Sequence, residues 1–156
     1  MMSVLIFEPR TPKSLEEMYY YMSDPNKTTW DAMFGIGVTI EGVVTQMKFV
    51  QRVYKVEKLL HEYLQVIFCF DFGITENIAF LKEVCERIGR VLITDERQVF
   101  GAIHYLDKPN NIHCHYMINF VGIDGSLYRQ KFSVQHYKCL VNEILAEYNL
   151  SLIISY

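Results

Sequence analysis

The sequence predicts an α+β fold, an antiparallel sheet with helices packed on it, and two kinds of observation carry the expectation. Residues 98–106 and 112–121 are apolar runs separated by Asp107-Lys108-Pro109-Asn110-Asn111, a segment rich in turn formers, and Asp124-Gly125 marks a second hairpin turn. Between the other strands lie stretches with apolar residues at helical spacing. Strands in hairpins with helices between the rest suggest a sandwich in which the helices cover one face of the sheet.

The elements follow in order. Residues 3–7 form a short apolar strand, closed by the turn-like segment from Pro9 to Pro12. Ser14, with Glu17 three residues on, is a capping-box start, and the helix it opens sets Leu15, Met18, Tyr19 and Met22 on one face. Asp24-Pro25 stops it, because proline disfavours helical geometry in the preceding residue. Residues 39–60 read as one long helix, with Val43, Met47, Val50 and Tyr54 as its apolar face and Lys48, Arg52, Lys55 and Lys58 opposite. Residues 63–70 are an apolar, β-rich core strand. Thr75 caps a third helix reaching Ile88, with Ile78, Leu81, Val84 and Cys85 in its buried stripe. Beyond the hairpin strands, residues 126–131 are expected to form a further strand, 133–148 the last helix, and 150–154 a final strand or docked tail.

Length and composition limit the function classes. The 156 residues are 51% hydrophobic and 21% charged, the composition of a folded globular chain with one core, so a single domain spanning 1–156 is expected. A multidomain enzyme is excluded, as is a helical membrane span, because no apolar run approaches the roughly 20 residues required. Residues 1–8 have no basic leader, so no secretory signal is expected and the cytoplasm is the expected location. Cys69, Cys85, Cys114 and Cys139 show no CxxC spacing, which argues for reduced, buried thiols rather than disulfides or a zinc ribbon. A net charge of −3 argues against a non-specific nucleic-acid coat protein.

The chemistry concentrates in His104, His113 and His115. His113 and His115 alternate with Cys114 along one strand, so the two imidazoles share a face about 6–7 Å apart while Cys114 points to the other. A hairpin across residues 107–111 brings His104 beside them. Three neutral imidazoles with open coordination positions make a candidate catalytic metal site, since a closed structural site wants four protein ligands. Tyr19, Tyr20 and Tyr21 supply candidate nucleophiles. On a helical wheel Tyr19 joins the apolar face, Tyr20 points away from the core, and Tyr21 lies on the flank, neither buried nor freely exposed. A phenol attacks best where its target is made more electrophilic, as a metal-polarised phosphate is.

Set together, these residues resemble the relaxase/mobilisation nuclease family, a branch of the HUH endonucleases that nick one DNA strand at plasmid transfer origins. The run Tyr21-Met22-Ser23-Asp24-Pro25-Asn26-Lys27-Thr28 is similar to the family's nucleophile segment, and the reactive tyrosine maps onto Tyr21. His104, His113 and His115, followed by Tyr116-Met117-Ile118-Asn119, resemble its histidine motif, and Asp124 to Tyr128 the hairpin after it. The interval from His104 to His113 is longer than in close relatives, and Gln65 stands where many carry a strand histidine. The resemblance implies an HUH-endonuclease core, a divalent cofactor (Mg²⁺ or Mn²⁺, with Zn²⁺ an option) on the three histidines, and a 5′-phosphotyrosine intermediate on Tyr21. It also implies single-stranded DNA at an origin of transfer as substrate, accessory relaxosome proteins as partners, and no membrane. The chain would then be a whole minimal enzyme or the N-terminal part of a longer one.

For holding DNA the candidates are Lys27, Tyr20 and Arg129, with Lys131 and the basic face at 48–58 as a further option, and Asp107 is a candidate to orient a ligand histidine. Two other readings stand beside the relaxase one. A replication initiator or transposase of the same superfamily would use Tyr137 as nucleophile, and a DNA-binding accessory module would keep the fold without cleavage.

Overall fold

In the computed structural model, which describes residues 3–8, 14–55, 61–93 and 96–154, five strands form one sheet. They are β1 (Val4–Glu8), β2 (Met33–Ile36), β3 (Tyr63–Cys69), β4 (Val99–His104) and β5 (His113–Asn119), in spatial order β1-β3-β5-β4-β2 with every pair antiparallel. Four helices pack on it: α1 (Leu15–Met22), α2 (Val43–Val53), α3 (Ile78–Leu92) and α4 (Val134–Glu147). The α+β class and the antiparallel sheet agree with the sequence expectation.

The helices cover both faces rather than one. Leu64, Val66, Phe68, Cys114, Tyr116 and Ile118 meet α3 and α4, whereas Tyr63, Phe100, Ala102 and Met117 meet α1 and α2. The cause is visible in β4 and β5, which are apolar on alternate and intervening positions alike; a strand apolar on both sides needs cover on both.

Several boundaries shift for local reasons. α2 begins at Val43, because Thr39 Oγ1 accepts the Gly42 N–H (3.1 Å) and Gln46 Oε1 accepts the Thr39 N–H (2.9 Å), which holds the preceding residues in a turn. It ends at Val53 with Lys55 in the left-handed region (φ 55°), so the long helix expected over 39–60 is an 11-residue one; residues 56–60, Lys58 among them, lie outside the described residues. Its buried side is Val43, Met47 and Gln51, with Tyr54 exposed. α3 is capped by Asn77, whose Oδ1 accepts the Phe80 N–H, rather than by Thr75, and it runs on to Leu92. β2, unforeseen in the sequence, follows a 3₁₀ turn (Trp30–Ala32) and is too short to show a period. The strand expected at 126–131 reduces to one antiparallel bridge, Val121 to Leu127, and the C-terminal segment docks through a parallel bridge, Ser3 to Ile153. Cys139 is exposed rather than buried, and all four thiols are free. The turn expected from Pro9 to Pro12 lies outside the described residues. Among the described residues no helix is long and apolar enough to cross a membrane.

Candidate active site

The site is built where the C-terminal end of α1 meets the β4–β5 hairpin. Two anchors start α1: Ser14 Oγ accepts the Glu17 N–H (3.2 Å), and Glu62 Oε2, from beside β3, accepts the Leu15 N–H (2.9 Å). A carboxylate on the free N–H groups of a helix start also favours the helix dipole. Leu15, Met18 and Met22 then pack against the sheet with Met47 of α2. At the other end Ser23 closes the helix on the Tyr19 carbonyl, and the Asp24 carbonyl accepts N–H groups from Lys27 and Thr28. The Lys27 carbonyl accepts the N–H groups of Tyr105 (3.0 Å) and Leu106 (3.2 Å), so this turn is fastened to the chain just beyond His104.

His104 and His113 are direct partners across β4 and β5, and His115 pairs with Ala102 one step further along the same face. Their ring centroids lie 4.5 Å (His104–His115), 4.9 Å (His113–His115) and 5.3 Å (His104–His113) apart. One ligand nitrogen from each falls within 4.8 Å of the others. Cys114 points to the opposite face, into the core under α3.

Backbone carbonyls fix two of the three rings. His104 Nε2 lies 2.8 Å from the Met22 carbonyl and His113 Nδ1 2.8 Å from the Asn111 carbonyl. A carbonyl only accepts, so those nitrogens carry the protons and leave His104 Nδ1 and His113 Nε2 with lone pairs for a metal. Burial holds the His104 imidazole below the ordinary histidine pKa of 6.5, assisted by the nearby His113 and Lys27; the Met22 bond and Asp107 oppose the shift. The neutral form that results is the one that ligates metal. Asp107 itself is exposed in the turn, and the orienting role expected of it falls to the Met22 and Asn111 carbonyls. Neither carbonyl is visible to sequence reasoning, because any residue supplies one.

The structure separates the three tyrosines. Tyr21 is half-buried, with its ring centroid 5.3 Å from that of His115 and 5.6 Å from that of His104, and Lys27 Nζ sits 3.9 Å from its ring centroid. Tyr19 turns away, packing on Phe100 and donating its hydroxyl to the Ile40 carbonyl (2.9 Å), and burial raises its pKa. Tyr20 is 73% exposed and available to a ligand. Tyr137 is 1% exposed, packed between Phe7 and Phe132 on the α3–α4 face, with the sheet between it and the histidines. A nucleophile there is excluded by that placement.

The expected DNA contacts divide. Lys27 is at the site. Arg129 is exposed but follows Tyr128, whose N–H bonds the Phe120 carbonyl past the end of β5, so it lies at the opposite end of that strand from His113. The basic face of α2 is broken, since Lys48 pairs with Glu16 and Lys55 falls beyond the helix. Gln65 is buried on the histidine-bearing face, in register with Met117.

No curated protein matches the chain. A family model described as "Relaxase: MobA/VirD2-like, nuclease domain" matches residues 20–150, a span that holds Tyr21, Lys27 and all three histidines. With that match over most of its length, and with a donor set suited to the divalent metal that relaxases use, the chain belongs to the relaxase family, in its MobA/VirD2-like nuclease domain.

Proposed function

We propose that the protein nicks and rejoins one strand of DNA at the transfer origin of a plasmid or other mobile element, with Tyr21 as nucleophile. The observation that carries the reading is the meeting of Tyr21 with three convergent imidazoles on one sheet face. His104, His113 and His115 would hold a divalent cation, Mg²⁺ or Mn²⁺ by expectation with Zn²⁺ an alternative, and that cation would neutralise charge developing on the scissile phosphate. The Tyr21 Oη attacks phosphorus in line with the bond to the 3′ oxygen. The phenolic proton goes to solvent, the P–O3′ bond breaks, and the 3′ oxygen takes a proton from solvent. The products are a 5′-phosphotyrosine and a free 3′-hydroxyl, and the retained ester lets a 3′-hydroxyl reverse the step. Lys27, over the Tyr21 ring, holds the nucleophile in place and brings positive charge beside the phosphate. Tyr20 offers an exposed ring to a base. Arg129 reaches DNA only away from the reacting phosphate. Accessory relaxosome proteins are the expected partners in origin recognition.

The test is covalent capture. A labelled random library of single-stranded oligonucleotides is incubated with the protein and Mn²⁺ or Mg²⁺, then resolved under denaturing conditions. Wild type is expected to give a protein–DNA adduct that both Tyr21→Phe and His113→Ala lose. An adduct that survives Tyr21→Phe overturns the assignment of the nucleophile. Metal-independent DNA binding with no adduct would favour the accessory-module reading instead.

A further inference from the structure

We propose that the uncovered end of the histidine-bearing face binds one nucleobase of the substrate, next to the scissile phosphate, stacked on Phe72 and read by the side-chain amides of Asn110 and Asn111. The inference rests on the single-strand nuclease reading above and assigns to it a base-binding subsite.

Sheet register places this subsite. Val4, Cys69, His113 and His104 are successive partners across β1, β3, β5 and β4, so they form one row on one face. Ile6, Ile67 and His115 form the next row. The first two helices cover the β4–β5 side of these rows. Toward the edge, Val4 and Ile6 stay exposed and Ile67 and Cys69 half-buried, so the histidines open onto an apolar shelf. Adjacent strands lie about 5 Å apart, which sets Cys69 one strand from His113 and Val4 two.

A pocket occupies the end of that shelf, with Val4 and Cys69 as its floor and Phe72, Asn110 and Asn111 at its sides. Its wall is continuous with the catalytic centre, because the Asn111 carbonyl is the group that fixes the His113 ring. The Phe72 ring is 57% exposed on a loop that is nonetheless pinned. The Phe70 N–H bonds the Ile112 carbonyl (2.9 Å), and Gly73, with φ of 84°, turns the chain directly after the ring. Asp71 spends both carboxylate oxygens inside the protein, accepting from the Phe72 N–H (2.7 Å) and the Ser151 hydroxyl (2.6 Å). Among the described residues no other charged side chain lines the pocket. A neutral floor, an exposed ring and two exposed amides suit a flat, neutral, hydrogen-bonding base, and supply no positive charge to favour a phosphate over it.

The test uses the full chain with Mn²⁺ and three labelled probes: (dT)15, (dA)15 and a 15-unit abasic strand of the same backbone. Wild type is expected to bind the base-carrying strands more tightly than the abasic one. Phe72→Ala should weaken the first two about tenfold and leave the third unchanged. Asn110→Ala and Asn111→Ala should narrow the difference between (dT)15 and (dA)15. With Trp30→Phe, Phe72→Trp puts the chain's one tryptophan at the stacking position, and its emission should fall with (dT)15 and not with the abasic strand. A Phe72→Ala protein with the wild-type ratio of base-carrying to abasic affinity, or no quenching at position 72, overturns the inference. Covalent capture by wild type reads the nuclease assignment separately. Adduct without a Phe72 effect sinks the subsite alone, a Phe72 effect without adduct sinks the nuclease reading alone, and binding of none of the probes sinks both.

Discussion

Replacing Asn119 with alanine unties α2 from the sheet. Asn119 is fully buried at the end of β5, and its side chain makes four hydrogen bonds. Nδ2 donates to the Met47 carbonyl (3.2 Å) and to Gln98 Oε1 (2.9 Å); Oδ1 accepts from Gln51 Nε2 (3.0 Å) and from the Val121 N–H (3.1 Å). After truncation Gln51 Nε2 keeps the Glu62 carbonyl (3.0 Å) and Gln98 Nε2 keeps the Gly37 carbonyl (3.3 Å). The loss therefore falls on the buried Val121 N–H and Gln98 Oε1, which forfeit the Asn119 partner. At about 1 kcal/mol net for a made bond, and more for each buried group left stranded, the cost comes to roughly 3–4 kcal/mol. For a chain of this size that lowers Tm by about 6–16 °C. Urea and thermal unfolding of wild type, Asn119→Ala and Asn119→Asp measure it. The aspartate keeps the two acceptor bonds but sets a carboxylate against the Met47 carbonyl, so it should destabilise no less. A loss below about 1 kcal/mol for the alanine variant would refute the reasoning, since it would mean water or neighbouring groups satisfy the stranded atoms at little cost.

Gly101→Ala would place a methyl group 2.1 Å from Cζ of the buried Phe34 ring on the paired strand, and a loss of about 1–3 kcal/mol in urea unfolding is expected; a neutral effect would show that the ring moves freely. Tyr137→Phe should leave adduct formation intact, because the sheet separates Tyr137 from the histidines; loss of adduct in a folded variant would contradict that placement. In metal-free protein, His104 has a folded pKa below its unfolded value of 6.5, so the unfolded chain binds the extra proton in the window between them. Its contribution to stability is complete above about pH 6.5 and declines as pH falls through that window toward the folded pKa, and His104→Gln should flatten the slope of unfolding free energy against pH. An unchanged slope would count against burial as the cause. Mn²⁺ or Zn²⁺ at a hundred times its Kd should stabilise the fold by about 2.7 kcal/mol, reversibly by chelator, and the increment should vanish in His113→Ala.

Much of the site was legible because strand geometry is periodic. The alternation of His113, Cys114 and His115 decides their faces without any knowledge of the rest, and the turn at 107–111 brings His104 alongside. The capping box at Ser14 and the proline after Asp24 likewise locate α1 from local chemistry alone. Where tertiary contacts outweigh local pattern, the sequence misleads. Gln51 sits on the buried side of α2 because Asn119 and the Glu62 carbonyl offer it partners there, and the predicted apolar Tyr54 is left outside. The doubly apolar strands required helices on both faces, but nothing local says which helix goes to which.

By itself, then, the sequence determined the class of fold and the three imidazoles on one face, since both follow from periods of two and three to four residues. Only the tertiary structure decided how closely Tyr21 meets them, which ring nitrogens are left with lone pairs, and where the shelf beside them stays open. Those outcomes depend on the Lys27, Met22 and Asn111 carbonyls and on the end of helical cover over β1 and β3, which are facts of backbone placement that no side-chain pattern encodes.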